Sequence, residues 1–113
     1  MSPLVLTLLI ASVCCAACGQ LLFKAGASGA STPIDFVNLN VIVGLFCYGI
    51  STLIWIWALS KANLVTVFPF TVMTFVLVYV GAAVIYREPV TTLGLAGAGL
   101  AMLGLFMIVR SSA

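Results

Sequence analysis

The sequence predicts an all-α integral membrane protein, a bundle of four transmembrane helices, and two observations carry that expectation. The 113 residues are 65% hydrophobic and 5% charged, where a soluble domain carries about a quarter charged residues. Short polar breaks divide the chain into four apolar runs, each near the ~20 residues that cross a hydrocarbon core of about 30 Å. The expected helices cover residues 4–23, 39–59, 64–86 and 92–109 of one domain, 1–113.

The first run, Leu4 to Phe23, ends at Lys24. Met1-Ser2-Pro3 lacks a basic leader region, and the run is longer than a signal-peptide core, so it is read as a retained helix. Ala25 to Asn38, rich in glycine and serine and holding Pro33 and Asp35, is the one connection long enough for a short interfacial element. The second run closes with Trp55 and Trp57, whose indoles favour the headgroup region. Ser60-Lys61-Ala62-Asn63 is a tight turn, so the second and third helices are expected to be antiparallel neighbours. Pro69 interrupts the third run, frees a carbonyl near Val65 and is expected to kink the helix. Arg87-Glu88-Pro89 marks the membrane exit, since Pro89 biases Glu88 away from helical dihedrals. The fourth run ends at Arg110.

Charge does not orient the bundle. Four spans put Lys61 and Arg110 on one side and Lys24 and Arg87 on the other, so the positive-inside rule finds no bias. Either the chain inserts both ways and pairs antiparallel with itself, or a partner subunit or the surrounding lipid fixes its orientation. A net charge of +2 does not point to nucleic acid.

The polar residues inside or beside the spans are the candidate binding groups. Ala16, Gln20 and Lys24 share one face at i, i+4, i+8. They form either a stripe leading from bilayer to surface, with Lys24 a point charge for phosphate, or an interhelical hydrogen bond beside an ordinary anchor. The third span offers Thr66, Phe68, Pro69, Thr71, Thr74 and Tyr79. Together with the proline break these suit a cavity wall, although threonines singly bond back to their own helix. Arg87 and Glu88 are expected to pair with one another or to hold a lipid headgroup, membrane-edge anchoring being the commoner role. Gly97, Ala101 and Gly104 form a small-residue stripe on the fourth helix, repeated by Gly94 and Ala98, that packs in the bundle or against a second chain.

Catalytic chemistry has no foothold. The sequence lacks histidine and has no acid within a span, so neither a nucleophile–base pair nor a pair of carboxylates can form. Cys14 and Cys18 sit at i, i+4 beside Cys15, with Cys47 in the next span. Without histidine or carboxylate partners they read as small packing residues rather than metal ligands. Neither a metal nor a cofactor is expected.

Over its whole length the chain resembles the four-helix, small-multidrug-resistance-like (EamA-like) proteins of the drug/metabolite transporter superfamily. It is most similar to the subunits of the aminoarabinose-phosphoundecaprenol flippase. The resemblance rests on Gly19-Gln20-Leu21 with Lys24, Ala58-Leu59 before Asn63-Leu64-Val65, Phe68-Pro69-Phe70, Arg87-Glu88-Pro89-Val90-Thr91 and the glycine-rich fourth helix. One departure matters. Drug-exporting members carry a proton-exchanging glutamate in the first helix, and that position here is Ala16, which disfavours drug/proton antiport. The resemblance implies a multi-pass protein of the bacterial inner membrane that moves a polyprenyl-phosphate-linked sugar between leaflets. It would act as a homodimer or beside a similar four-helix chain. The substrate residues would be Gln20, Lys24, Phe68, Pro69, Thr71, Tyr79, Arg87 and Glu88, with Lys24 and Arg87 on phosphate. A small-molecule exporter without helix-one proton coupling, and a non-transporting partner of a glycosyltransferase, are the alternatives.

Overall fold

The computed structural model describes residues 2–112; Met1 and Ala113, the ends of the expected domain, lie outside them. Helix α1 (Pro3–Ala27) starts where the Ser2 hydroxyl accepts the Val5 N–H at 3.3 Å and Pro3 takes the first helical position. It runs a turn beyond the expected end, so Lys24 lies within the helix. Ser28 closes it, with its N–H and hydroxyl both donated to the Lys24 carbonyl at 3.0 and 2.8 Å. A 3-10 turn, Pro33–Phe36, occupies the long connection and leaves Ile34, Phe36 and Val37 exposed. Asp35 accepts the Ser31 and Thr32 N–H groups at 3.1 Å each. Those bonds hold its carboxyl below the usual carboxylate range.

Asn38 then begins α2 (Leu39–Leu59), accepting the Val41 N–H and donating to the Gly26 and Asp35 carbonyls at 2.9 Å. The third span is two helices, α3 (Leu64–Val67) and α4 (Thr71–Ile85), joined by a 3-10 turn at Phe68–Phe70. The expected break at Pro69 therefore takes the form of a tightened turn in a continuous span. At the exit, Arg87 adopts a left-handed backbone, φ 52°. The chain folds back so that the Ala82 carbonyl accepts the N–H groups of Tyr86 and Glu88, at 3.1 and 3.3 Å. In α5 (Thr92–Ser112), the Thr91 hydroxyl accepts the Gly94 N–H at 3.0 Å.

Helix α1 is the centre of the packing. It lies along α2 on one side and against α4 on the other, while α2 and the third span touch chiefly around their connecting turn. The second and third helices, expected as antiparallel neighbours, thus meet mainly at their turn. A tight turn brings two helix ends together, and small residues on α1 then draw the rest of α2 to α1. Gly19 and Gly44 meet with their backbones in contact, so that a Cβ on Gly19 would stand 2.9 Å from the Gly44 carbonyl oxygen. About two turns beyond, Gly26 lies against Val41 and Asn38.

Near mid-span, buried Ser12 and Ser51 exchange hydrogen bonds, each hydroxyl donating to the other's carbonyl at 2.9 and 2.8 Å. Van der Waals contact and hydrogen bonds of this kind hold helices together where lipid removes the hydrophobic drive. The apolar cluster sits toward the chain termini, with Val5, Leu9, Val13, Ala58, Val67, Phe70 and Leu105 buried together. Toward Lys24 the bundle opens. Large apolar side chains that would be a liability in water, such as Leu93 and Val65, lie on the outside. With four helices long and apolar enough to cross a membrane, that surface belongs in the bilayer.

Gly19→Ala is expected to force the α1 and α2 backbones apart and cost about 1–3 kcal/mol. Gly49→Ala, where an added methyl meets no atom within 4 Å, is expected to stay within about 0.5 kcal/mol. Reversible unfolding of both variants in bicelles by SDS titration measures the difference.

Candidate functional site

Two clefts lie end to end along one side of α1. The first, about 270 Å³, is walled by Ser12 and Ala16 of α1, by Tyr48, Ser51, Thr52 and Trp55 of α2, and by Phe68, Thr71 and Thr74 of the third span. The second, about 340 Å³, is bounded by Gln20, Leu21, Phe23, Lys24, Ala27, Val78, Ala82, Tyr86 and Glu88. On α1 the lining positions Ser12, Ala16, Gln20 and Lys24 repeat every four residues. On α4 Thr74, Val78 and Ala82 do the same. A helix turns about 100° per residue, so steps of four drift about 40° each and both series wind slowly round their helices. The two clefts, which share no lining residue, follow one another along this path and are together called the groove. Twelve residues separate Ser12 from Lys24, a rise of about 18 Å. The groove thus links the charged end of the bundle to its middle.

The charged end is built by the exit turn. Left-handed Arg87 returns the chain toward α1, and Glu88 Oε1 comes within 3.8 Å of Lys24 Nζ. Both side chains are about half exposed, 53% and 45%, so the pair is screened and its attraction is small. Beside it the Tyr86 hydroxyl donates to the Leu21 carbonyl at 2.6 Å, tying α4 to α1. Arg87 is exposed and, among the described residues, has no ion-pair partner. The pairing of Arg87 with Glu88 allowed by the sequence is therefore replaced by a Lys24–Glu88 pair. Adjacent residues across a left-handed turn diverge, and the long lysine stem reaches the carboxylate instead.

The middle of the groove is uncharged and mostly apolar, with several hydroxyl groups. Ser12 and Ser51 are committed to each other, and the Thr52 hydroxyl donates to the Tyr48 carbonyl at 3.0 Å. Tyr48, Trp55, Thr71 and Thr74 make no side-chain hydrogen bond among the described residues. Among the described residues no buried side-chain nitrogen or oxygen lacks a partner, so these polar groups reach accessible surface.

The expected site residues are distributed rather than gathered. Phe68 and Thr71 line the middle cleft, whereas Gln20, Lys24 and Glu88 line the outer one. Tyr79, tilted against Phe75 with ring centroids 5.7 Å apart, borders a separate recess of about 240 Å³ that also includes Glu88. Pro69 and Arg87 line none of the three. Trp55, expected at the headgroups, faces the groove, while Trp57 is exposed. Two residues apart on a helix is about 200° of rotation, so only one of them can be an outward anchor. Ser12, Ser51, Tyr48, Thr52 and Tyr86 were not singled out by the sequence. The period of Tyr48, Ser51, Thr52 and Trp55, at i, i+3, i+4, i+7, is the signal that marks most of them. Of the stripe Gly97, Ala101 and Gly104 on α5, neither glycine has an atom within 4 Å of where its Cβ would stand.

Comparison with known proteins gives the groove a context. A protein of Shewanella sediminis named as probable 4-amino-4-deoxy-L-arabinose-phosphoundecaprenol flippase subunit ArnF is 35% identical over 84 residues, 73% of this chain and 55% of that protein. The subunit of the same name from Yersinia enterocolitica is 36% identical over 72 residues, 62% of this chain and 56% of its own. The chain thus spans about half the length of these two relatives. A probable subunit ArnE of the same flippase from Pseudomonas syringae is 28% identical over 108 residues, 92% of this chain and all of that protein. No family model matches the chain, and no solved structure does. The resemblance drawn from the sequence holds: the curated relatives of this chain are flippase subunits, and its four apolar helices fit a small four-helix transporter.

Glu88→Gln is expected to change unfolding stability by less than about 1 kcal/mol, because the ion pair is half exposed. Tyr86→Phe, which leaves the Leu21 carbonyl without its donor, is expected to cost about 0.6–1.7 kcal/mol. The same SDS titration ranks the two.

Proposed function

We propose that this chain is one subunit of a bacterial inner-membrane flippase that moves a polyprenyl-phosphate-linked sugar between leaflets, with an identical or similar four-helix chain beside it. The observation that carries the reading is the groove itself, with the Lys24–Glu88 pair at its outer end, Arg87 exposed beside it, and an uncharged lining of hydroxyls and aromatic walls near mid-span. A lipid-linked sugar has the same order of parts. Its phosphate is anionic, its sugar is polar, and its tail is hydrocarbon. The printed names of the relatives, subunits of a lipid-linked sugar flippase, agree with that match.

In this mechanism the phosphate arrives at the surface and competes with Glu88 for Lys24. A monoanionic phosphodiester with two free oxygens competes for a lysine that a half-exposed carboxylate holds only at 3.8 Å. Arg87, exposed and unpaired among the described residues, supplies a second cation on the same side of the membrane. The sugar moves inward along the α1 stripe past Gln20, whose exposed amide offers both a donor and an acceptor. Its hydroxyls then meet Thr71, Thr74 and Tyr48, while Phe68 and Trp55 form the apolar walls. The groove is open along its length, so the tail remains in lipid. No acid lies within a span, and Ala16 stands where drug exporters of the superfamily carry their glutamate, so proton-coupled export of a cation is not the reading preferred here.

The second chain would lie on α5. That helix is the least buried of the spans together with the third, and its glycine stripe meets nothing within the chain. Stripes of small residues let two helix backbones approach closely, and four short helices enclose little volume on their own.

Lys24→Ala and Arg87→Ala are each expected to abolish translocation in proteoliposomes while the protein stays folded. The assay follows loss of the protected inner pool of a polyprenyl-phosphate sugar to a reagent added outside. Retained flipping in both variants would remove the phosphate assignment. Gly97→Leu is expected to leave unfolding of the single chain within about 0.5 kcal/mol and to weaken association between chains. Intermolecular energy transfer between labelled chains at varied protein-to-lipid ratio reads that loss.

A further inference from the structure

Resting on that reading, and deepening it, we infer that Glu88 selects the headgroup, by binding a primary ammonium carried beside the phosphate that Lys24 binds. Two neighbouring concavities meet at this carboxylate. Val78, Ala82 and Glu88 border both the outer cleft, where Lys24 supplies a cation, and the recess of about 240 Å³. No cation lines the recess. Its walls include the rings of Phe75 and Tyr79, and its one charged residue is Glu88. A carboxylate beside aromatic rings suits a positive group, which ring faces also attract. Glu88 thus stands between a place for an anion and a place for a cation.

For a headgroup with an anion alone, Glu88 is a liability. It occupies Lys24 at 3.8 Å and repels an approaching phosphate. A phosphodiester that brings its own ammonium removes both costs. The phosphate takes Lys24, the ammonium takes Glu88, and one ion pair within the protein gives way to two with the ligand. Both side chains are about half exposed, so opening their pair costs little. Because both charges sit on one headgroup, neither leaves water without a counter-charge beside it. The chain's other acid does not compete. Asp35 is bound by the Ser31 and Thr32 N–H groups and lines none of the three concavities. The ligand chemistry is therefore a phosphodiester lipid bearing a primary amine. An amino sugar on a lipid phosphate has it, and so does an aminophospholipid such as phosphatidylethanolamine.

The test offers the purified chain, in maltoside micelles at pH 7, two radiolabelled polyprenyl-phosphate pentosides that differ only in a 4-amino or a 4-hydroxyl group. The amino form is expected to bind tighter by at least about threefold, the gain from one partly exposed charge-assisted contact. Glu88→Gln is expected to weaken binding of the amino form and to leave or strengthen that of the hydroxyl form, since Lys24 loses its competitor. A merely structural role for Glu88 would move both alike. Unlabelled phosphatidylethanolamine separates the two sources. Displacement of the amino pentoside at similar concentration supports the ammonium assignment and overturns the lipid-linked-sugar reading, whereas failure to displace it supports both. Equal binding of the two pentosides, or a preference that Glu88→Gln leaves intact, overturns the inference, and translocation in proteoliposomes then still supports the flippase reading. Amine-selective binding that depends on Glu88, with neither lipid moved, supports the inference and overturns transport by this chain. Binding of neither lipid overturns both.

Discussion

The close approach of α1 and α2 is the constraint on which the rest of the structure depends. Within a bilayer no hydrophobic force drives one apolar helix onto another, so the pair must be held by contact and by hydrogen bonds. Gly19 and Gly44 supply the contact, and Ser12 with Ser51 supplies the bonds. Asn38 fixes the end of the pair by bridging the Gly26 carbonyl to the start of α2. Once that pair is set, its surfaces define one wall of the middle cleft. They also leave the opposite edge of α1 for α4, which Tyr86 secures. The polar stripe of α1 faces a groove because its small residues face α2.

Two kinds of small-residue surface therefore coexist in the chain. Where α1 meets α2 the glycines are occupied, and a methyl group at Gly19, Gly26 or Gly44 would collide with a neighbour. On α5, Gly97, Gly99 and Gly104 face open space. The sequence treats these glycines alike, since the spacing of small residues says that a helix can be approached but not which helix approaches it. Only the arrangement of the spans separates a filled face from a vacant one.

The same distinction explains what was legible and what was not. Hydropathy fixes which segments cross a membrane, because span length is a property of the chain alone. The stripe Ala16, Gln20, Lys24 was readable because it lies on one helix, and it does bound the groove. The partner of Lys24 was not readable. Glu88 is distant in sequence, and its position follows from the left-handed backbone at Arg87, which the residue type gives no reason to expect. The serine pair was equally hidden: a lone serine in an apolar run is ordinary, and its role appears only when a second serine faces it at the same depth. That Trp55 lines the cleft was not readable from its place near a helix end, because helix rotation decides which way it faces.

The turn at Phe68–Phe70 has a consequence beyond the bend expected of a proline. A 3-10 segment advances about 120° per residue where an α-helix advances about 100°, so three such residues shift the helical phase by roughly 60°. Every side chain of α4 is rotated by that amount relative to the direction set by α3. The groove lining of α4, from Thr71 to Ala82, lies beyond that slip. Phe68-Pro69-Phe70 thus acts as a phase adjuster, setting where a distant stripe points while the span keeps its course across the bilayer.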